Sequence, residues 1–452
     1  MNNITMAKAL SMIEQAEKAG PEERSVMRQD RLNDLVAYAR EHSTYFKEYY
    51  KNVEDEFSLT DLPPCNKRAL MANFDHWVTD SSITLDSIKE YLADKENIGR
   101  LYLDKYSVLT TSGTSGVPLT MVRDSYHNII HGALMKVRLF RKLDPGIMDP
   151  ERHRIAAVIA TGSFSSSYTS FERARNAKPE YSQNMLAISI MTPVAEIVRI
   201  LNDFKPDLLT GYPSALGALA LEKLKGQLNI TPLAIACSAE QLTSETHATL
   251  KRAFNCPILN NYCSTEGGEA AMMCEYGNLH INDDWVIMEP VDYDNRPVAK
   301  GSISESVLIT NLAAYTQPII RYRLEDRIRI ETTPCKCGSN LPVLEILGRE
   351  GDTICLCGKS IPSVVFQVLM YKVPGALQFQ FAQTGPDRLE LRVLLMEGTD
   401  PAEFTANIEE HISILFSENG CQEATFIISS EPPKNSSRGG KLKTVCREWN
   451  KD

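Results

Sequence analysis

The chain has 452 residues, a hydrophobic fraction of 43% and a net charge of −10. This length allows more than one domain and a sizeable core, while the acidity excludes the electrostatic footprint of a nucleic-acid binder. No apolar run would span a bilayer, the start Met1-Asn2-Asn3-Ile4-Thr5 lacks a secretion pattern, and an odd count of 11 irregularly spaced cysteines indicates reduced thiols and a cytoplasmic protein.

Residues 1–60 read as helices. Leu32, Leu35, Val36 and Tyr38 recur near helical spacing, and Tyr45, Phe46, Tyr49 and Tyr50 form an aromatic cluster suited to core packing. Leu62-Pro63-Pro64 stops the helix. A β-rich run, Tyr106 to Leu109, then leads into Thr110-Thr111-Ser112-Gly113-Thr114-Ser115-Gly116-Val117-Pro118. Glycines let a backbone turn its N–H groups inward and hydroxyls add donors, a combination that suits a phosphate. No Gly-Lys-Ser/Thr follows, so this is not a Walker A loop, and taken alone it reads equally well as a Ser/Gly surface turn.

Asp124 caps a helix running towards Leu143, and Arg154 to Ala160 is an apolar strand. Thr192-Pro193 opens a helix with Thr192 at the N-cap and an apolar face of Val194, Ile197, Val198 and Leu201. Strands over 207–210, 233–237 and 258–261 alternate with helices over 213–225 and 243–254, which predicts a mostly parallel sheet with helices on its faces. From His280 to Ile330 strands and turns predominate, and beyond Gly348 come strands over 377–381 and 389–395, a helix over 401–416 and a strand over 424–428. The loop from Pro432 to Gly440 holds Lys441 on a mobile tip. The predicted fold class is α/β. A large domain over 1–347 has parallel sheets with flanking helices plus a β-barrel-like subdomain, and a small mobile α+β domain follows over 348–452.

Four later stretches follow the Ser/Gly loop in order: Tyr262-Cys263-Ser264-Thr265-Glu266, Tyr322-Arg323-Leu324-Glu325-Asp326, Gly348-Arg349-Glu350-Gly351-Asp352 and Gly439-Gly440-Lys441. Together the five resemble the motifs of the adenylate-forming superfamily: acyl- and aryl-CoA ligases, peptide-synthetase adenylation domains and luciferases. Within it the chain looks most like the phenylacetate–CoA ligase branch, a likeness that Leu32 to Asp75 shares less specifically.

The resemblance implies ATP-dependent activation of a carboxylic acid, aryl or acyl, to an acyl-adenylate, then transfer to a thiol of coenzyme A or a carrier-protein phosphopantetheine. Ser112, Gly113, Thr114, Ser115 and Gly116 would cradle the triphosphate, although Val117 and Leu119 stand where lysines often occur. By the same resemblance Ser238, Ala239 and Glu240 line the adenine pocket with Asn261, Tyr262, Cys263 and Ser264. Tyr262 would stack on adenine, Thr265 bond a phosphate, and Glu266 hold Mg²⁺. Asp326 would bind the ribose hydroxyls, with Glu325 standing where the family usually has glycine; Arg349 would contact ribose or phosphate. Gly351 and Asp352 would form the hinge, and Lys441 would stabilise charge in adenylation. Family position suggests Tyr168, Gly211 and Tyr212, with Pro213 and Ser214, near the acid, although packing explains either tyrosine as well.

Cys274, His280, Cys335 and Cys337 offer three sulfurs and a nitrogen, a set that suits structural zinc; the spacing departs from zinc fingers, and unrelated reduced cysteines are the other reading. Branch members carry a similar zinc. A rival set with Cys355 and Cys357 crosses the expected hinge and would restrain it. His131, His153 and His247 read as structural or surface residues. The implied partners are a small carboxylic acid, with an acyl carrier protein and a second copy of the chain as further candidates, and neither nucleic acid nor membrane. Two alternatives stand beside the ligase: a nucleotidyl transferase placing AMP on a hydroxyl, and a catalytically weak nucleotide-binding relative.

Overall fold

The computed structural model describes residues 4–111, 118–141, 143–144, 146–349, 353–434 and 442–449. Helices Met6–Lys18, Pro21–His42 and Thr44–Tyr49 form the N-terminal layer. Thr5 and Ser43 cap the first and third by accepting from Lys8 N and Phe46 N. Leu32, Leu35, Val36, Phe46 and Tyr50 are buried, while Tyr49 lies at the surface and donates to the Pro64 carbonyl at 2.8 Å. Two buried arginines fasten this layer to the sheet. Arg24 donates to Asp283 at 3.0 Å, and Arg138 reaches both Glu17 (2.7 Å) and Asp284 (2.8 Å).

The central sheet has nine strands in the order Asp326–Ile330, Val343–Arg349, Leu279–Ile281, Gly268–Met273, Ile258–Ser264, Ala234–Cys237, Leu208–Gly211, Ile155–Ile159, Met185–Ser189. The last five run parallel, and Ile155–Ile159 is buried throughout, as a strand covered on both faces must be. Gly211 is required by close approach: a Cβ there would stand 2.6 Å from the Val158 carbonyl oxygen. Helices Val194–Phe204, Pro213–Leu224 and Ser244–Phe254 connect the parallel strands.

Two helix boundaries differ from expectation. The helix capped by Asp124 spans Ser125–Leu134 and ends in a π-helical turn, Met135–Leu139, short of Leu143. Pro193, not Thr192, occupies the N-cap of the next, and Val194 is 40% exposed, so Ile197, Val198 and Leu201 alone form its buried stripe.

The β subdomain is a three-stranded antiparallel sheet, Val286–Val291, Ser306–Asn311 and Ile319–Leu324. Residues 353–447 carry a separate four-stranded sheet in the order Thr425–Ile428, Arg388–Leu395, Ala376–Gln383, Val445–Arg447, with helices Ser363–Lys372 and Pro401–Glu418. Phe366, Phe381, Leu389, Leu391, Phe404 and Ile408 give that unit its own core. It meets the large unit where Thr246 Oγ1 donates to the Leu377 carbonyl at 3.3 Å and Gln378 Nε2 to the Ser214 carbonyl at 2.5 Å. No described helix is long and apolar enough to cross a membrane.

Candidate active site and metal centre

Ligands of open α/β sheets bind outside the carboxyl ends of the strands. Here the strand Ala234–Cys237 runs out into Ser238, Ala239 and Glu240. Ser238 N donates to the Gly211 carbonyl at 3.1 Å, and Ala239 takes a left-handed φ of 67°. Glu240 accepts from Ser214 N at 3.1 Å through Oε2 and from Leu442 N at 2.7 Å through Oε1.

The next strand, Ile258–Ser264, carries Asn261, Tyr262, Cys263 and Ser264. The Tyr262 hydroxyl donates to Asp326 Oδ2 at 2.8 Å, and Arg349 Nε donates to Asp326 Oδ1 at 2.9 Å. Residues from three separate motifs therefore meet on one buried carboxylate. A bulge makes this possible. The register runs Asp326 opposite Arg349 but Ile328 opposite Ile346, and Gly348 absorbs the extra residue at φ 97°. Glu325 is not among the positive-φ residues, so no glycine is needed where the family usually has one. Burial and the Asp326 charge push the Tyr262 phenol well above its ordinary value.

Glu266 follows at the turn and is 8% exposed. Burial raises its carboxyl above the ordinary 4.5, against the lowering effect of the Tyr322 hydroxyl, which donates to Oε1 at 3.2 Å. The turn is over-determined. Arg123 Nη2 donates to the Thr265 carbonyl (2.6 Å), Asn311 Nδ2 to the Glu266 carbonyl (3.1 Å) and Gly267 N to Ser264 Oγ (2.7 Å). Gly268 has φ 64°, and a Cβ there would stand 2.3 Å from the His131 ring. Asn261 bonds Glu269. His131 Nδ1 accepts from Glu269 N at 3.0 Å, and its Nε2 faces Asn311 Oδ1 at 3.2 Å. With its pKa pulled down to about 3 by burial, His131 is a neutral structural residue. His153 bonds Asp144 at 3.2 Å, and His247 is half-buried.

The acid-pocket candidates part company. Tyr212 is buried with its hydroxyl 3.4 Å from Ala160 N, whereas Tyr168 lines a cleft with Lys95, Arg100, Glu172 and Asn176. Ser112, Gly113, Thr114, Ser115, Gly116 and Val117, the hinge pair Gly351 and Asp352, and Lys441 lie outside the described residues.

Cys274, His280, Cys335 and Cys337 converge, their ligand atoms all within 4.8 Å of one another. The sheet explains this: Cys274 follows strand Gly268–Met273, His280 sits in the neighbouring Leu279–Ile281, and the other two lie in the loop before Val343–Arg349. Cys274 Sγ lies 3.8 Å from Cys335 Sγ, and Cys337 Sγ 3.3 Å from His280 Nε2. A tetrahedron with Zn–S bonds of about 2.3 Å has edges of about 3.8 Å, so the set fits zinc. His280 Nδ1 faces the Leu341 carbonyl at 3.0 Å, which leaves Nε2 to be the ligand. Cys355 and Cys357 are not in this cluster; Cys355 Sγ accepts from Arg447 at 3.0 Å.

Sequence reasoning missed two contributors. Tyr322 lies inside one of the motifs, but its bond to Glu266 joins a strand to a turn far away in the chain. Arg123 had a visible signal, a lone charge closing the short buried strand Thr120–Arg123.

No family model matches the sequence. Protein CapK of Staphylococcus aureus is 25% identical over 228 residues, a match spanning 49% of this chain and 49% of that protein. A solved structure of 2-hydroxyisobutyryl-CoA ligase in the postadenylation state, with R3-HIB-AMP, superposes at a TM-score of 0.69 with 18% identity, over 95% of this chain and 90% of that one. The same ligase in the thioesterification state, with 2-HIB-AMP and CoA, gives 0.57 with 19% identity, over 96% and 91%. The chain thus has the fold of adenylate-forming CoA ligases, including the C-terminal domain.

Proposed function

We propose that this protein is an acid–thiol ligase: it joins a carboxylic acid to ATP as an acyl-adenylate and passes the acyl group to a thiol, coenzyme A or a carrier-protein phosphopantetheine. The observation that carries the reading is the meeting of Tyr262, Asp326 and Arg349 beside buried Glu266, at the carboxyl edge of a sheet with this fold. Structural carboxylates at such cost are better explained by a ligand than by packing.

In this reading Asp326 exchanges its present donors for the two ribose hydroxyls, and the Tyr262 ring flanks the adenine. Glu266 is the anionic oxygen donor for Mg²⁺, which when bound would offset triphosphate charge. Thr265 and the Ser112–Gly116 loop hold phosphate oxygens, and Lys441 stabilises the charge that gathers as carboxylate meets α-phosphorus. The two halves, 1–347 and 348–452, act as separate bodies about Gly351 and Asp352, one arrangement for each half-reaction. The closer superposition on the postadenylation than on the thioesterification structure supports the first arrangement here. The Cys274, His280, Cys335 and Cys337 cluster holds a structural zinc. The sequence motifs favour the phenylacetate–CoA ligase-like subtype, a cytoplasmic enzyme. Acid-dependent ATP–pyrophosphate exchange, followed by mass spectrometry with coenzyme A, tests the reading. Acyl thioester plus AMP supports it, and a stable AMP conjugate on a hydroxyl contradicts it.

A further inference from the structure

The carboxylates at the sheet edge are accounted for, but the cations beside them are not. Arg123 is 8% exposed, and among the described residues no carboxylate pairs with it. Among the described residues its Nη2 reaches only the Ser264 and Thr265 carbonyls, and its Nε has no partner. Arg173, on helix Ser166–Arg175, bonds Ser107 Oγ at 3.0 Å and likewise has no carboxylate among the described residues. His127, 2% exposed, leaves Nε2 unpartnered among the described residues and lies in the field of both arginines. Thr169, about one helical turn before Arg173, buries a hydroxyl with no partner among the described residues. Desolvation draws the Arg123 guanidinium down to about 10 and lowers Arg173 as well. Glu269, which Asn261 bonds, exerts the largest field on Arg123, with a further one from Glu266, whereas among the described residues no carboxylate field reaches Arg173.

A desolvated cation without a counter-charge, such as Arg173, is costly, as are buried polar atoms without partners, and an anionic ligand is the economical reason to keep them. Position argues against the triphosphate. The Ser/Gly loop joins the Thr110 and Thr120 ends of its hairpin, whereas Arg123 pairs with Ser107 at the opposite end, about 10 Å away along the strand. Helix Ser166–Arg175, which carries Arg173, follows the carboxyl end of strand Ile155–Ile159. In the ligase reading the acid would bind along this carboxyl edge of the sheet.

We propose that Arg123, Arg173 and His127 form the distal anchor of the acid pocket, and that the substrate is an acid carrying a second anionic group, such as a dicarboxylate. The proposal rests on the ligase reading above. The remote carboxylate lies against the guanidinium groups while the near one meets the α-phosphorus.

The test uses the full chain and acid pairs: malonate, succinate, adipate and terephthalate, each against its monomethyl ester. Calorimetric binding and acid-dependent ATP–pyrophosphate exchange are measured on the wild type and on Arg173→Gln and Arg173→Lys. At least one diacid is expected to exceed its ester about tenfold or more in affinity and in kcat/KM. Arg173→Gln removes most of that ratio, and Arg173→Lys restores part of it. Diacid binding that is sensitive to Arg173, without any exchange, leaves the anion site standing and overturns the ligase reading. Exchange in which every ester equals or exceeds its diacid, unchanged by Arg173→Gln, leaves the ligase reading standing and overturns the anchor. Neither binding nor exchange overturns both.

Discussion

Glu240 Oε1 accepts a hydrogen bond from the backbone N–H of Leu442 at 2.7 Å, joining the end of a parallel strand to the C-terminal unit. The other oxygen of the same carboxylate takes Ser214 N at 3.1 Å, so Glu240 is fixed to the large unit first. Leu442 is the residue after Lys441 in the sequence. The bond therefore ties the segment carrying the proposed catalytic lysine to the loop proposed to flank adenine.

Lys441→Ala should lower acid-dependent pyrophosphate exchange by about a hundredfold or more, the scale of a key electrostatic donor. Supplied with pre-made acyl-adenylate, the same variant should still form thioester at close to the normal rate. Glu240→Ala should weaken exchange more modestly, about tenfold, by releasing Leu442. Equal damage to both half-reactions by Lys441→Ala counts against the two-arrangement account.

Glu266 gives a prediction with a sign. Burial raises its folded-state pKa above the unfolded 4.5, so the stability it contributes as a neutral acid is complete below that pH and lost as pH rises through the folded value. Near neutrality the buried carboxylate is a cost that a divalent cation offsets. In chelator, Glu266→Gln should melt at or above the wild type, since its amide oxygen still accepts from Tyr322. Magnesium with ATP should raise the wild-type melting temperature and leave the variant nearly unmoved. Pyrophosphate exchange by Glu266→Gln should fall steeply; near-wild-type exchange would rule out the assigned role.

Asp326→Ala removes the acceptor that Tyr262 and Arg349 share. Loss of hydrogen bonds to a charged group, about 1.5–3 kcal/mol each, should raise the ATP KM by about tenfold or more. Tyr262→Phe keeps the ring and should cost far less. Similar ATP KM values for wild type and Asp326→Ala would remove Asp326 from the ribose site.

The thiolate cluster predicts stoichiometric zinc that survives washing with a weak chelator. Removal with a strong chelator should lower the melting temperature, since a structural zinc contributes on the order of 10 kcal/mol to local folding. Trace metal with unchanged melting would mean three reduced cysteines and a histidine without a metal.

Local signals carried most of the fold. Alternating strands and helices from Ile155 to Ser264 follow apolar runs, and Asp124 caps the helix before them; both signals act over a few residues. Motif residues Tyr262, Asp326 and Arg349 were readable because each sits in a short motif visible in the sequence. Their meeting was not, because it depends on strand order and on the bulge at Gly348. The same holds for Tyr322 on Glu266 and for Arg123 beside Arg173, which lie far apart in sequence and meet only through packing. The expected N-cap at Thr192 missed by one residue because Pro193 itself supplies the capping carbonyl, to Ile197 N.

The most direct measurement is a single-turnover reaction of the purified protein with ATP, Mg²⁺ and an acid panel containing mono- and dicarboxylates, first without and then with coenzyme A, read by mass spectrometry. The account predicts an acyl-adenylate with pyrophosphate in the first step, converted to acyl thioester and AMP in the second. No acid-dependent adenylate with any acid, or an AMP conjugate formed on a hydroxyl with no mixed anhydride, would contradict it.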